Sequence, residues 1–254
     1  MLLLKVFLII TLICFVKGFQ PPWMFMGRPL TGFRQDGIID SINATEYKSF
    51  NQSLDHFSKN GTKWEQRYWK NDEFAKDDKE LHFLILGGEY EASSFDIFYE
   101  KYPHVKYAKE CNATLWLLEH RFYGKSQPLK NLETKNLKYL KSRQALADIA
   151  YFIKSQNDAL NLINPKWIIF GGGYSGTLGI WFKEIYPDLS VGVVASSAPV
   201  NLRLDFYEYM QHIEYLINSY DSECAKNVKD VFKDFTYYLR MGDKSTEIVG
   251  NTLK

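Results

Sequence analysis

The chain has 254 residues, 46% hydrophobic and 24% charged, with 31 basic against 30 acidic side chains and a formal net charge of +1. Its 18 Phe, 17 Tyr and 6 Trp exclude an intrinsically disordered protein, which is poor in aromatics, and its balanced charge gives no basic face for nucleic acid. No repeat period or low-complexity tract is visible, which sets aside solenoids and linker-like chains and leaves a globular protein long enough to bury a core.

In chain order, Met1 to Lys5 is a short basic start and Val6 to Val16 an apolar run, with Val16 and Gly18 as small residues at −3 and −1 of a cut after Gly18. This pattern predicts a secretory signal peptide over 1–18. A membrane anchor needs about 20 apolar residues, and no stretch of that length follows, so no membrane anchor is expected. The mature chain, from Phe19, is expected in a secreted or lysosomal setting. Acceptor sequences for N-glycans at Asn43, Asn51, Asn60 and Asn112 fit that compartment. Cys14 leaves with the signal peptide. Cys111 and Cys224 either pair with each other or each with a cysteine outside this chain, and spacing does not decide between these.

Residues 19–42, with Pro21, Pro22 and Pro29, read as irregular, and 19–62 as an N-terminal lead-in to the core. Lys63 to Trp69, aromatic-rich and bounded by turn residues, reads as an antiparallel strand. Leu81–Leu86, Thr114–Leu118, Trp167–Phe170 and Val191–Ala195 are short continuous apolar runs, the pattern of strands covered on both faces. Between them Leu146, Ile149, Ala150 and Ile153 recur at helical spacing, predicting a helix over 142–156. Another is expected over 174–186, stopped by Pro187. One more starts near Leu204 and a last runs from Ser222 to Leu239. Strands alternating with helices predict an α/β fold with a mostly parallel sheet over 63–204, followed by a helical segment over 205–254.

Trp167-Ile-Ile-Phe170 runs into Gly171-Gly-Gly-Tyr-Ser-Gly176 and then a helix. The glycines Gly171, Gly173 and Gly176 satisfy the bare pattern of a dinucleotide-binding loop. That pattern alone is weak, it lies late in the chain, and nicotinamide cofactors are scarce behind a signal peptide, so no cofactor is expected. The alternative is a nucleophile elbow, a sharp strand-to-helix turn presenting a reactive side chain.

The surrounding blocks carry a resemblance. Leu54-Asp-His-Phe57 with Gln66-Arg-Tyr-Trp69, Leu84-Ile-Leu-Gly-Gly-Glu89, Leu118-Glu-His-Arg-Phe-Tyr-Gly-Lys-Ser126, Gln144-Ala-Leu-Ala-Asp148, and Phe170 to Pro187 with Ala195-Ser-Ser-Ala-Pro-Val200 stand in order. Together, over roughly 52–224, they resemble the family of lysosomal Pro-X carboxypeptidase, dipeptidyl peptidase II and thymus-specific serine protease. The resemblance implies an α/β-hydrolase fold with a helical cap domain inserted in it, and serine exopeptidase activity. It also implies Gly-Gly-Ser-Tyr-x-Gly at the elbow, with the serine as nucleophile. Here Gly173 occupies that position, and glycine keeps such a strained turn while removing the hydroxyl.

Ser175 is a weak substitute, because two positions along a helix turn it about 200° away; its ordinary role is to cap the helix start. The family's catalytic Asp and His follow the helical insertion, and the chain reaches Lys254 inside the region that resembles it. The five histidines offer no replacement: His56 and His120 sit in the structural blocks, His82 in a core strand, His104 and His212 in helical or loop segments. Glu119-His120-Arg121 reads as scaffolding. By analogy with the family, the amides of Tyr174 and Gly88 would form an oxyanion hole. Neither the cysteines nor the histidines have metal-ligand spacing, so no metal is expected. These features predict a member without turnover that binds peptides or a protein partner. An active exopeptidase using Ser175, and a fragment without stable function, are the alternatives.

Overall fold

The computed structural model describes residues 24–25, 28–29, 46–58, 61–75 and 80–240. The expected signal peptide over 1–18 and the acceptor residues Asn43 and Asn60 lie outside the described residues.

A short antiparallel ribbon, β1 (Met24–Phe25) with β2 (Arg28–Pro29), comes first. The main sheet has six strands: β3 (Lys48–Ser53), β4 (Lys63–Asn71), β5 (Leu81–Leu86), β6 (Thr114–Leu118), β7 (Lys166–Gly172) and β8 (Gly192–Ser196), in the order β3-β4-β6-β5-β7-β8. β3, β4 and β6 run antiparallel to their neighbours in turn, whereas β6, β5, β7 and β8 are parallel. Parallel neighbours need crossovers. These are supplied by α1 (Phe95–Phe98) with α2 (Pro103–Cys111) after β5, α3 (Ser142–Leu160) after β6, and α4 (Tyr174–Ile185) after β7. The fold class is α/β, as the alternation predicts.

The continuous apolar runs are explained by two cores. Along β5, Leu84 and Leu86 face Trp116, Ile149, Phe152, Leu178 and Phe182, on the side of α3 and α4. Phe83 and Ile85 face Ile97, Val105, Ala108, Leu115 and Leu117, on the side of α1 and α2. Neither face of the central strands meets water. Each fully buried aliphatic or aromatic side chain contributes about 1.5–3 kcal/mol relative to exposure.

Two elements differ from expectation. β3 lies inside the 19–62 lead-in, so the sheet starts at Lys48 rather than at Lys63. Only Phe50 and Gln52 of β3 turn toward α3, and the more deeply buried of the two is a glutamine, which hides the strand's inward face. The helix α2, which begins on Pro103, was not anticipated. From Asn201 onward the chain belongs to a second compact unit, in which α5 (Tyr207–Tyr220) packs against α6 (Ser222–Arg240). Among the described residues, no helix is long and apolar enough to cross a membrane.

Candidate active site at the β7–α4 turn

The turn from β7 into α4 is a glycine device. Gly173 has φ 58° and ψ −127°, a region that residues with side chains enter only under strain. Its N–H donates to the Ser196 carbonyl (2.9 Å), and its carbonyl accepts from the Thr177 N–H (3.1 Å). A Cβ placed on Gly173 meets nothing within 4 Å, whereas a Cβ on Gly171 would lie 2.4 Å from the backbone carbon and oxygen of Ser175. Gly171 therefore lets the end of β7 pass under the first turn of α4. Gly173 holds its strained backbone pose with open space where a side chain would stand.

Ser175 is buried, at 2% exposure. Its hydroxyl donates to the Gly172 carbonyl (3.0 Å) and accepts from the Gly172 N–H (3.1 Å). It ties the helix back to the strand rather than capping a helix amide, and its hydrogen-bonding capacity is turned into the fold.

Tyr174 is the first residue of α4, so its N–H is one of the amides without an acceptor inside the helix. Its hydroxyl lies 3.2 Å from His120 Nε2. His120 Nδ1 lies 2.7 Å from the Arg121 carbonyl, which only a protonated Nδ1 can satisfy, leaving Nε2 to accept from Tyr174. Burial pulls the His120 pKa down and keeps the ring neutral. Burial, then the neighbouring Tyr123 and Glu89, push Tyr174 up to about 12. The pair is therefore uncharged over the physiological range.

Gly88 is buried just beyond β5. The preceding Gly87 donates its N–H to Leu118 O (2.8 Å), and a Cβ on it would lie 3.1 Å from the His120 nitrogen. The glycine turn therefore lies flat on the end of β6, beside His120. All these groups sit at the carboxyl ends of parallel strands, where α/β sheets carry their sites.

Beneath this turn the family-like blocks meet in a buried polar network. The Glu119 carboxylate, fully buried, accepts from Arg67 Nε (2.8 Å) and Nη2 (2.5 Å), the Ala92 N–H (3.0 Å), and the Ser126 N–H (2.9 Å) and hydroxyl (2.6 Å). Arg121, also fully buried, forks onto both Asp148 oxygens at 2.6 Å and donates to the carbonyls of Ser53, Leu54 and Tyr139. His56 Nε2 reaches Asp148 at 2.7 Å, and Gln144 joins Asp55 to the His56 N–H. Glu119 and Arg121 are thus scaffolding, as the sequence suggests. His120 between them is not only that, since it touches the elbow through Tyr174. The clue was its place directly after β6 and against the Gly87-Gly88 turn.

The other histidines lie elsewhere. His82 stacks on Trp167 (centroids 4.5 Å apart) and accepts from Trp116 Nε1 at 3.2 Å. His104 Nε2 bonds the Asp96 carbonyl at 2.6 Å, and His212 sits on α5 next to Tyr215. Cys111 and Cys224 are free thiols in the structure, one in the α/β unit and the other in the helical unit. Asn51 is exposed on β3, and Asn112 is half-buried at the left-handed end of α2. Among the described residues, no group of three or more His, Cys, Asp or Glu is placed to hold a metal ion.

Residues 52–253 match the family model described as serine carboxypeptidase S28. A Caenorhabditis elegans protein named as a serine protease is 38% identical over 243 residues, 91% of this chain and 45% of its own length. The thymus-specific serine protease of Homo sapiens is 36% identical over 210 residues, 81% of this chain and 38% of its own length. The chain thus spans less than half the length of these relatives. Among solved structures, the proline iminopeptidase of Mycobacterium smegmatis superposes with a TM-score of 0.48 at 14% identity, covering 76% of this chain and 60% of that one.

Proposed function

The chain belongs to the serine carboxypeptidase S28 family, and from that premise we propose that it is a non-hydrolytic member that binds peptides. The observation that carries this reading is Gly173, which keeps the elbow's backbone conformation and has no hydroxyl. Acyl transfer by this class of enzyme requires a nucleophile with a base in reach. Ser175 does not supply one, because its hydroxyl is bonded to Gly172 on both sides.

What remains is recognition. The amides of Tyr174 and Gly88 are the donors assigned to an incoming peptide carbonyl or carboxylate, an electrostatic contact that binds without turning over. The neutral Tyr174–His120 pair forms one wall of that opening. The setting we assign is the secretory pathway, in keeping with the amino-terminal leader pattern and with an exposed glycan acceptor at Asn51.

The test is treatment of the secreted protein with a fluorophosphonate probe, alongside Ser175→Ala, and calorimetric titration with a panel of proline-containing peptides. The wild type is expected to stay unlabelled and to bind at least one peptide. Labelling that Ser175→Ala abolishes would make the protein an active hydrolase and overturn the reading. Failure of every peptide to bind would remove its recognition half.

A further inference from the structure

β3 is an edge strand. It pairs with β4 through six residues, from Lys48 opposite Tyr68 to Ser53 opposite Lys63, and among the described residues no strand lies on its other side. At Ser53 the edge is occupied, the N–H by Gln52 Oε1 and the carbonyl by Trp64 Nε1 and Arg121 Nη2; toward Asn51 and Ser49 it is the kind of strand edge on which another chain adds itself.

The strand cannot roll to hide its outer row. Gln52 is fully buried, donating to Gln66 Oε1 (2.9 Å) and to the Asp148 carbonyl (3.1 Å). Phe50, on the same face, packs against Phe152 with ring centroids 5.2 Å apart. These anchors leave Asn51 exposed on the opposite face, across from the exposed Glu65. Asn51-Gln-Ser53 is an N-glycan acceptor sequence lying entirely within this edge strand.

We propose that an N-linked oligosaccharide on Asn51 guards the open edge of β3 against pairing with a second copy of the chain. This rests on the secretory reading above. In the transfer, the Asn51 amide nitrogen forms a bond to the anomeric carbon of an oligosaccharyl diphosphate donor. The anomeric carbon–oxygen bond breaks, diphosphate leaves, and the amide proton passes to a base of the transferase. In the folded chain the Ser53 hydroxyl of this acceptor sequence accepts from Lys63 Nζ at 2.8 Å. A bulky hydrated group at the centre of an edge does what charges, prolines and bulges do at other edges. Asn112 provides the contrast. The two residues after it, Ala113 and Thr114, are buried at the start of an interior strand, so a glycan there would guard no edge.

The full chain, secreted from cultured cells, is compared with Asn51→Gln, Asn51→Lys and Asn112→Gln before and after treatment with a peptide-N-glycosidase. Asn51→Gln is expected to lose one discrete step in mobility, and its monomer fraction in size exclusion to fall severalfold. Asn51→Lys is expected to lose the same step and recover most of the monomer, since a lysine guards an edge by charge. Asn112→Gln is expected to leave the monomer fraction unchanged. A protein that carries glycans elsewhere but shows no mobility change in Asn51→Gln overturns the proposal. So does a lost step with an unchanged monomer fraction. A chain retained in the cytosol and free of any glycan overturns the secretory reading together with it.

Discussion

The Tyr174 hydroxyl and His120 Nε2 lie 3.2 Å apart, while His120 Nδ1 is committed to the Arg121 carbonyl at 2.7 Å. One ring thus links the first residue of α4 to the end of β6 and has a fixed tautomer. Tyr174→Phe deletes the donor and leaves Nε2 buried without it. The expected result is a loss of about 1–3 kcal/mol in chemical denaturation, together with an altered His120 ring resonance in the NMR spectrum. An unchanged resonance would show that the bond is not formed.

Burial lowers the pKa of both His120 and His104 below the ordinary histidine value. For each, the unfolded chain binds a proton more readily than the folded one, so stability is fully present above the unfolded pKa of about 6.5. It is lost as pH falls from there toward the folded values. Urea midpoints measured between neutral pH and pH ~5 are expected to decline, and His104→Gln should flatten part of the slope. A midpoint that rises on acidification would contradict the assignment.

Substitutions at two glycines of the elbow should rank in a definite order. Gly173→Ala meets open space but takes on a left-handed backbone, costing about 1–3 kcal/mol. Gly171→Ala drives a methyl group into the Ser175 backbone at 2.4 Å, a clash relieved only by parting β7 from α4. Its melting temperature is expected to fall further than that of Gly173→Ala, and equal losses would count against this geometry.

The Arg121–Asp148 pair is buried and doubly bonded. Asp148→Ala strands a guanidinium in the interior and is expected to cost about 3–5 kcal/mol. The double variant Arg121→Met with Asp148→Leu should recover a large part of that loss. A double variant no more stable than Asp148→Ala would mean that the backbone carbonyls around Arg121, and not its charge, dominate the site.

The central strands were plain in the sequence, because both faces of each are buried and the runs are apolar but for His82 and Thr114: Leu81–Leu86 and Thr114–Leu118 are observed with the bounds the pattern gives. β3 was hidden for the opposite reason. Its inward residues are one phenylalanine and one glutamine, and burial of Gln52 becomes favourable only once Gln66 and the Asp148 carbonyl arrive from far along the chain. The elbow was legible because glycines mark it. The contact of His120 with Tyr174 was not, since 54 residues separate them and only the parallel register of β5, β6 and β7 brings the ends of their strands together. The helical segment was read a few residues early, at Leu204 instead of Tyr207.

Glu119 has a consequence beyond its hydrogen bonds. Its carboxylate fastens β4 through Arg67, the loop after β5 through Ala92, and the turn after β6 through Ser126. The loops after β5 and β6 are therefore riveted to one buried anchor. On the peptide-binding proposal, an arriving peptide meets a mould rather than a hinge. Its association should be paced by encounter and not by a gate, with little rearrangement of the backbone between the free and occupied states.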